Sequence, residues 1–338
     1  MAVNVAMWGK ALKVIPRLTK NEWDELDVVS KWLISTRAAV FVMTALSCAI
    51  GGILAYRNET FYWPYFVAAM IGLVFAHASN NLINDFVDHR RGIDKDNYYR
   101  AQYGPQPLEH GFMTTRQFMG YIGISLLVAL AAGAYLVAAT GLLTLFMLVA
   151  GLFFLFFYTW PLKYMGLGEL TVVIVWGPLM IAGTYFVTSG GVWNWDIVVI
   201  SLVYALGPTT VLFGKHIDKL LEDRQKKVYT LPVLLKEKVA RYATISLWIA
   251  QYLLVAVMIA FRMVGPVVAV VLLAFPKFLW AARTYSKPRP TEKPKEGIMA
   301  EAWPLYLVHH AFLYNKRFGY LFLLGLIADV VLVKLGVY

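Results

Sequence analysis

The segment 80–94 reads N-N-L-I-N-D-F-V-D-H-R-R-G-I-D. It follows an apolar run, residues 67–76, with the character of a membrane span. An acidic side chain in such a setting is expensive, about 2.5–3.5 kcal/mol at the bilayer centre. Asp85 and Asp88 stand three apart, with Asn81 and Asn84 on the preceding turn. A helix that continues to about Arg90 puts Asn81, Asp85 and Asp88 on one face. Gly92 can then end it, and Asp94 can fold back from the loop toward the same spot. Carboxylate and amide oxygens converging at a membrane surface suit Mg²⁺, an ion that favours a few carboxylates, several waters and substrate phosphates. A diphosphate is the natural partner.

A second cluster reads K-H-I-D-K-L-L-E-D-R over residues 215–224. Asp218 and Glu222 are spaced to share a helical face, with Asp223 about 100° round. Alone, it reads as a solvated helix end in which Asp218, Lys219, Glu222 and Lys226 pair among themselves. Two acidic clusters at the same membrane side of two spans favour another reading, in which they hold two Mg²⁺ ions bridged by a diphosphate. Lys163, Lys215, Arg224 and the Arg90-Arg91 pair are placed to balance its charge. Between the clusters, residues 158–169 read Y-T-W-P-L-K-Y-M-G-L-G-E. This is either a breaker-rich loop in an aromatic belt or a segment that sets Tyr158 and Lys163 beside the diphosphate and sends Glu169 into the next span.

The elements that position these residues follow from hydropathy. Of 338 residues, 59% are hydrophobic and 15% charged, against about 25% charged in a soluble domain; mean hydropathy is +0.61. An integral membrane protein is expected, all-α, with spans near 38–56, 64–84, 117–138, 141–160, 168–188, 195–217, 241–261, 264–282 and 318–336, each close to the roughly 20 residues a bilayer needs. That makes about nine helices, preceded by an interfacial, amphipathic segment over residues 1–35. The rest, 36–338, forms one transmembrane domain with polar inner-side loops at 85–116 and 215–240. With the N-terminus cytoplasmic, only Arg57, Arg262 and Lys334 of the 31 Lys and Arg fall on the outer side. This positive-inside asymmetry accounts for the net charge of +11, so a nucleic-acid partner is not expected. The lone Cys48 leaves no disulfide or Cys-based metal site. No cleaved signal peptide is evident. Residues 286–296 read as a solvated loop and 300–319 as an interfacial helix feeding the last span. Adjacent side chains on a helix diverge by about 100°, so the His309-His310 pair reads as polar surface.

Asn81-x-x-Asn84-Asp85-x-x-Asp88-x-x-x-x-x-Asp94, the 158–169 segment and the second acidic cluster resemble the UbiA superfamily of membrane prenyltransferases. A third aspartate six residues after Asp88, preceded by Gly92, resembles the 1,4-dihydroxy-2-naphthoate prenyltransferase branch of menaquinone synthesis. Gly177, Gly183-Thr184-Tyr185, and Asp223-Arg224 followed by Thr230-Leu231 fit that branch too. The likeness spans about residues 35–335. The chain departs from the branch at Lys215-His216, where an Asn pair is expected. It departs again at Lys219, where an aspartate is expected, so Asp218 or Glu222 would have to substitute.

The resemblance implies a helical bundle around a central cavity open to lipid. It implies Mg²⁺ held by Asp85, Asp88, Asp94 and the second cluster (Asp218, Glu222, Asp223), and a polyprenyl diphosphate ionised to an allylic cation. An aromatic acceptor would then attack, oriented by candidates Asn81, His77 and Lys163. His77 reads equally as an interhelical hydrogen bonder. The expected location is the cell (inner) membrane, multi-pass, with the site facing the cytoplasm. Two alternatives stand beside this: transfer to another acceptor (a hydroxybenzoate, a homogentisate-like phenol or a glycerol phosphate lipid), and a non-catalytic isoprenoid-lipid carrier of the same fold.

Overall fold

The computed structural model describes residues 3–95, 104–296, 300 and 302–337, and these contain helices and no strand. Three short helices lead in: α1 (Val5–Ala11), α2 (Lys20–Glu25) and α3 (Val28–Ser35). The longer ones are α4 (Phe41–Arg57), α5 (Trp63–Arg90), α6 (Thr115–Thr140), α7 (Leu142–Phe157) and α8 (Gly168–Thr188), then α9 (Trp195–Asp218), the short α10 (Leu220–Gln225), α11 (Leu231–Ala260), α12 (Pro266–Tyr285) and α13 (Leu307–Lys334). Among them α4, α5, α6, α8, α9, α11 and α12 are long and apolar enough to cross a membrane. Seven of the nine expected spans therefore meet that test. α7 is apolar but has 16 residues, and α13, at 28 residues, carries Lys316, Arg317, Asp329 and Lys334.

The bundle is centred on α9, which packs against α8, α11 and α13. Windows of α4 and α9 are 67% buried within the protein, that of α6 only 22%. The outer face of α6 and α7 carries Ile124, Leu127 and Phe146 exposed, as a lipid-facing wall requires. Close crossing of α9 and α13 depends on Gly207, where a Cβ would lie 1.6 Å from Asn315 Oδ1.

Several expectations change in detail. The expected interfacial helix over 300–319 and the last span are one helix, α13, because nothing in 307–334 breaks it. His310 is consequently not polar surface: it is buried and stacks on Trp280 at 4.2 Å. α11 begins at Leu231, ten residues or nearly three turns earlier than expected, and is kinked at Lys236 (φ 67°). The N-terminal segment folds as three helices whose Ala11, Trp23, Leu26 and Leu33 pack with Ala78, Phe112 and Met113. Asp27 fixes this cap by accepting hydrogen bonds from Ser30 N (3.0 Å), Trp8 Nε1 (3.0 Å) and Asn4 N (3.2 Å).

Candidate active site

α5 runs unbroken through the first acidic motif. It ends at Arg90, with Gly92 left-handed (φ 66°) and Ile93 N donating to Asp88 O at 2.9 Å. Residues 85–90 of the expected loop are therefore helix, and the helical register sets Asn81, Asn84, Asp85 and Asp88 toward the bundle. Asn81 Nδ2 donates to Thr36 O at 2.8 Å and Asn84 Nδ2 to Thr159 Oγ1 at 3.0 Å. Asp85 and Asp88 are 5% and 7% exposed. Asp85 is paired with Arg37, and Lys163 Nζ donates to both Asp88 oxygens at 2.9 and 3.0 Å. Removing water from a carboxylate is affordable here only because each has a cation at hand. Asp94 is buried as well.

The second cluster comes apart. α9 ends at Asp218, Lys219 leaves helical geometry (φ −115°, ψ 25°), and α10 begins at Leu220. Asp218 and Glu222 thus do not share a helical face as expected. Asp218 turns away from α5: it accepts Leu307 N and Val308 N at 2.9 Å, capping the start of α13, and pairs with Arg289 Nε at 2.9 Å. Asp223 is buried, with Oδ1 on Lys219 Nζ at 2.8 Å and Oδ2 without a partner. Glu222 is half-buried, and Arg224, like Arg90, is exposed. Arg91 lies over the rings of Tyr164 (4.9 Å) and Trp160 (5.3 Å). Burial, then the nearby Asp88 carboxylate, push the Tyr164 phenol up to about 12, so it stays a neutral hydroxyl.

A cavity of about 850 Å³ opens beside these groups. Arg37, Asn81, Asn84, Tyr158 and Lys215 line its polar end; the aspartates stand behind Arg37 and Lys163. Its remaining wall is mostly apolar, from α4 to α9 and α13, with Lys13, Arg17 and Lys316 also among the lining residues. His77 also faces it, held by Thr44 Oγ1 at 2.7 Å and edge-on to Trp176 at 5.5 Å. Trp176 lies in a π-helical stretch, Val175–Ala182, around Pro178, a distortion common at functional sites.

Sequence reasoning missed Arg37, which lies 48 positions from Asp85 and is identifiable only as a cation just before the first span. It also missed the buried pair Glu169 Oε1 to His216 Nδ1, 2.7 Å, which gives His216, noted only as a departure, a partner. Among the described residues no three His, Cys, Asp or Glu side chains are gathered as a ready metal cage. The donors are nevertheless hard oxygens, and Asp223 keeps one buried and unused, so the set fits a weakly dehydrated ion such as Mg²⁺.

Comparison with known proteins decides the family. The model of the UbiA prenyltransferase family matches residues 45–300. The chain belongs to that family. It is 26% identical over 233 residues to UbiA prenyltransferase domain-containing protein 1 of Mus musculus, covering 64% of this chain and 67% of that one. It is 22% identical over 295 residues to the 1,4-dihydroxy-2-naphthoate octaprenyltransferase of Bacillus subtilis (strain 168), covering 86% and 90%. Among solved structures, the apo UbiA homolog from Aeropyrum pernix K1 matches with a TM-score of 0.60 at 18% identity, over 85% of this chain and 97% of that one. A UbiA homolog from Archaeoglobus fulgidus bound to DMAPP and Mg²⁺ matches with a TM-score of 0.54 at 16% identity, over 86% and 99%. This UbiA family member is a multi-pass membrane prenyltransferase, and the carrier reading is set aside.

Proposed function

We propose that this UbiA prenyltransferase moves a polyprenyl group from an isoprenyl diphosphate to an aromatic acceptor, 1,4-dihydroxy-2-naphthoate or a related quinone precursor. The site would face the cytoplasm in the cell membrane, in keeping with the basic residues clustered on that side. The observation that carries the reading is the cavity itself: about 850 Å³, apolar along most of its wall, with Arg37, Asn81, Asn84 and Lys215 among its polar lining and Arg37 in turn paired with Asp85. A diphosphate headgroup suits one end and an isoprenoid tail the other, and the volume lies within the range of ligand pockets. The naphthoate octaprenyltransferase relative supports this acceptor class. The DMAPP and Mg²⁺ bound by the Archaeoglobus homolog support this donor class.

Asp85, Asp88 and Asp94, with Asp223 opposite, would hold Mg²⁺, which neutralises charge developing on a diphosphate leaving group. Arg37 and Lys163, now balancing the aspartates, are placed to turn positive charge toward the same oxygens, and Lys215 faces them from α9. The bond from the prenyl C1 to oxygen breaks with its electron pair leaving on the diphosphate, and an aromatic carbon of the acceptor supplies the pair for the new C–C bond. That carbon then releases a proton, or CO₂ if it carried a carboxylate, to restore the aromatic ring. Asn81 and Asn84, fixed by Thr36 and Thr159, keep the polar wall rigid, while His77 and Trp176 shape the acceptor side.

The test is diphosphate release by purified protein in detergent, given geranylgeranyl or longer diphosphate and Mg²⁺, with and without 1,4-dihydroxy-2-naphthoate. Acceptor-dependent release is expected. Release only with other phenols would discard the naphthoate, and release with none would overturn the reading.

A further inference from the structure

The loop 104–111 packs against the C-terminal end of α5. Its backbone is fixed. His110 N donates to Gln106 O at 2.9 Å, Gln106 N donates to His110 Nδ1 at 3.3 Å, and Met113 N donates to Pro107 O at 2.9 Å. It is tied to α5 by His89 Nδ1 and Glu109 Oε2, 2.7 Å apart. Gln106 is 4% exposed, yet neither its Oε1 nor its Nε2 has a hydrogen-bond partner. Burying a carboxamide with both ends unsatisfied is costly, and its main chain is too well anchored for the side chain to be there by looseness.

The same side chain lines a second, small cavity with Asp85, His89, Asp94 and Glu109, of about 10 Å³, the room of a single water or small ion. Two carboxylates of the acidic motif and an unpartnered amide therefore meet across one gap. A carboxamide suits such a place: its carbonyl is a hard acceptor able to face a cation, and its NH₂ can donate to an anionic oxygen.

We propose that Gln106 is a headgroup-contacting residue, its Oε1 directed to the divalent cation at Asp85 and Asp94 and its Nε2 to a diphosphate oxygen. This rests on the metal-dependent diphosphate reading above. The loop 104–111 then closes the headgroup end of the site beside Asp85 and Asp94.

Calorimetric binding of a non-cleavable geranyl thiolodiphosphate, titrated against MgCl₂ with the full chain in detergent, tests it alongside thermal unfolding of the ligand-free protein. Gln106→Leu should weaken analogue binding about tenfold, the size of one charge-assisted hydrogen bond, while the ligand-free melting temperature stays level or rises. Gln106→Glu keeps a metal-facing oxygen and loses the donor. It should lower the half-saturating Mg²⁺ below the wild-type value yet still bind the analogue more weakly. A Gln106→Leu variant with wild-type affinity and Mg²⁺ dependence would overturn the proposal, as would a fall in melting temperature with both variants binding equally. If Gln106→Leu does not fold, an unchanged Mg²⁺ requirement in Gln106→Glu overturns it. Wild-type protein that never binds the analogue sinks the headgroup reading first, and this proposal with it.

Discussion

The two acidic clusters look alike on paper, each a set of carboxylates at helical spacing at the inner end of a span, and they fold into different things. On α5 the helix carries on through the motif, so the spacing is realised: Asp85 and Asp88 point the same way and meet Arg37 and Lys163. After α9 the helix breaks at Lys219, and the acids scatter. Asp218 becomes a structural cap, Asp223 keeps a buried oxygen in reserve, and Glu222 stays near the surface. Spacing carries chemical information only where one helix runs through all of it.

The sharpest way to break this contrast is to substitute the corresponding acids one at a time. Asp85→Ala should cut diphosphate release by at least about a hundredfold, in line with losing one preorganised charge at a reacting centre, with the melting temperature only modestly lowered because Arg37 lines the open cavity and can regain water. Asp218→Asn should do the reverse. Losing the charge that caps α13 should cost about 1–3 kcal/mol in denaturation in detergent, with the Mg²⁺ requirement unmoved. If Asp218→Asn changed the Mg²⁺ requirement while stability held, the two clusters would be equivalent after all.

The buried Asp88 and Lys163 pair sharpens the point. Lys163→Met alone removes one partner of a desolvated pair and should cost about 3 kcal/mol or more of stability, whereas Lys163→Met with Asp88→Leu should recover much of it. Thermal melts of the two singles and the double give the coupling directly. The smallest effect is expected at Arg224→Gln: the side chain is exposed, and an exposed charge should alter KM for the prenyl diphosphate by no more than about twofold.

The first motif, its helix and its termination at Gly92 were legible because they are local. The bundle was legible because apolar stretches of span length have few other uses. The partners were not. Arg37 reaches Asp85, and Arg289 reaches Asp218 from 71 positions away, and nothing in hydropathy couples such residues. Composition also concealed that the stretch from Leu307 onward is one helix. Its polar first turns look interfacial but are buried by α12, as the Trp280 and His310 stack shows.

That helix has a mechanical consequence. α13 is clamped at both ends by buried carboxylates: Asp218 holds its first turn, and Asp329 near its far end binds Arg57 Nε at 2.7 Å and Gly265 N at 2.8 Å. The opposite flank, α6 and α7, has no buried carboxylate clamp among the described residues: it packs on α5 through Phe118 and Ile122, takes a hydrogen bond from Trp32 Nε1 to Ser125 Oγ at 2.9 Å, and turns its outer face outward. The cavity therefore behaves as a vice with one fixed jaw. On the proposed reading, a longer or bulkier tail would be accommodated on the α6 and α7 side, while α13, clamped at both ends and packed on α9, would hold Lys215 of α9 in place.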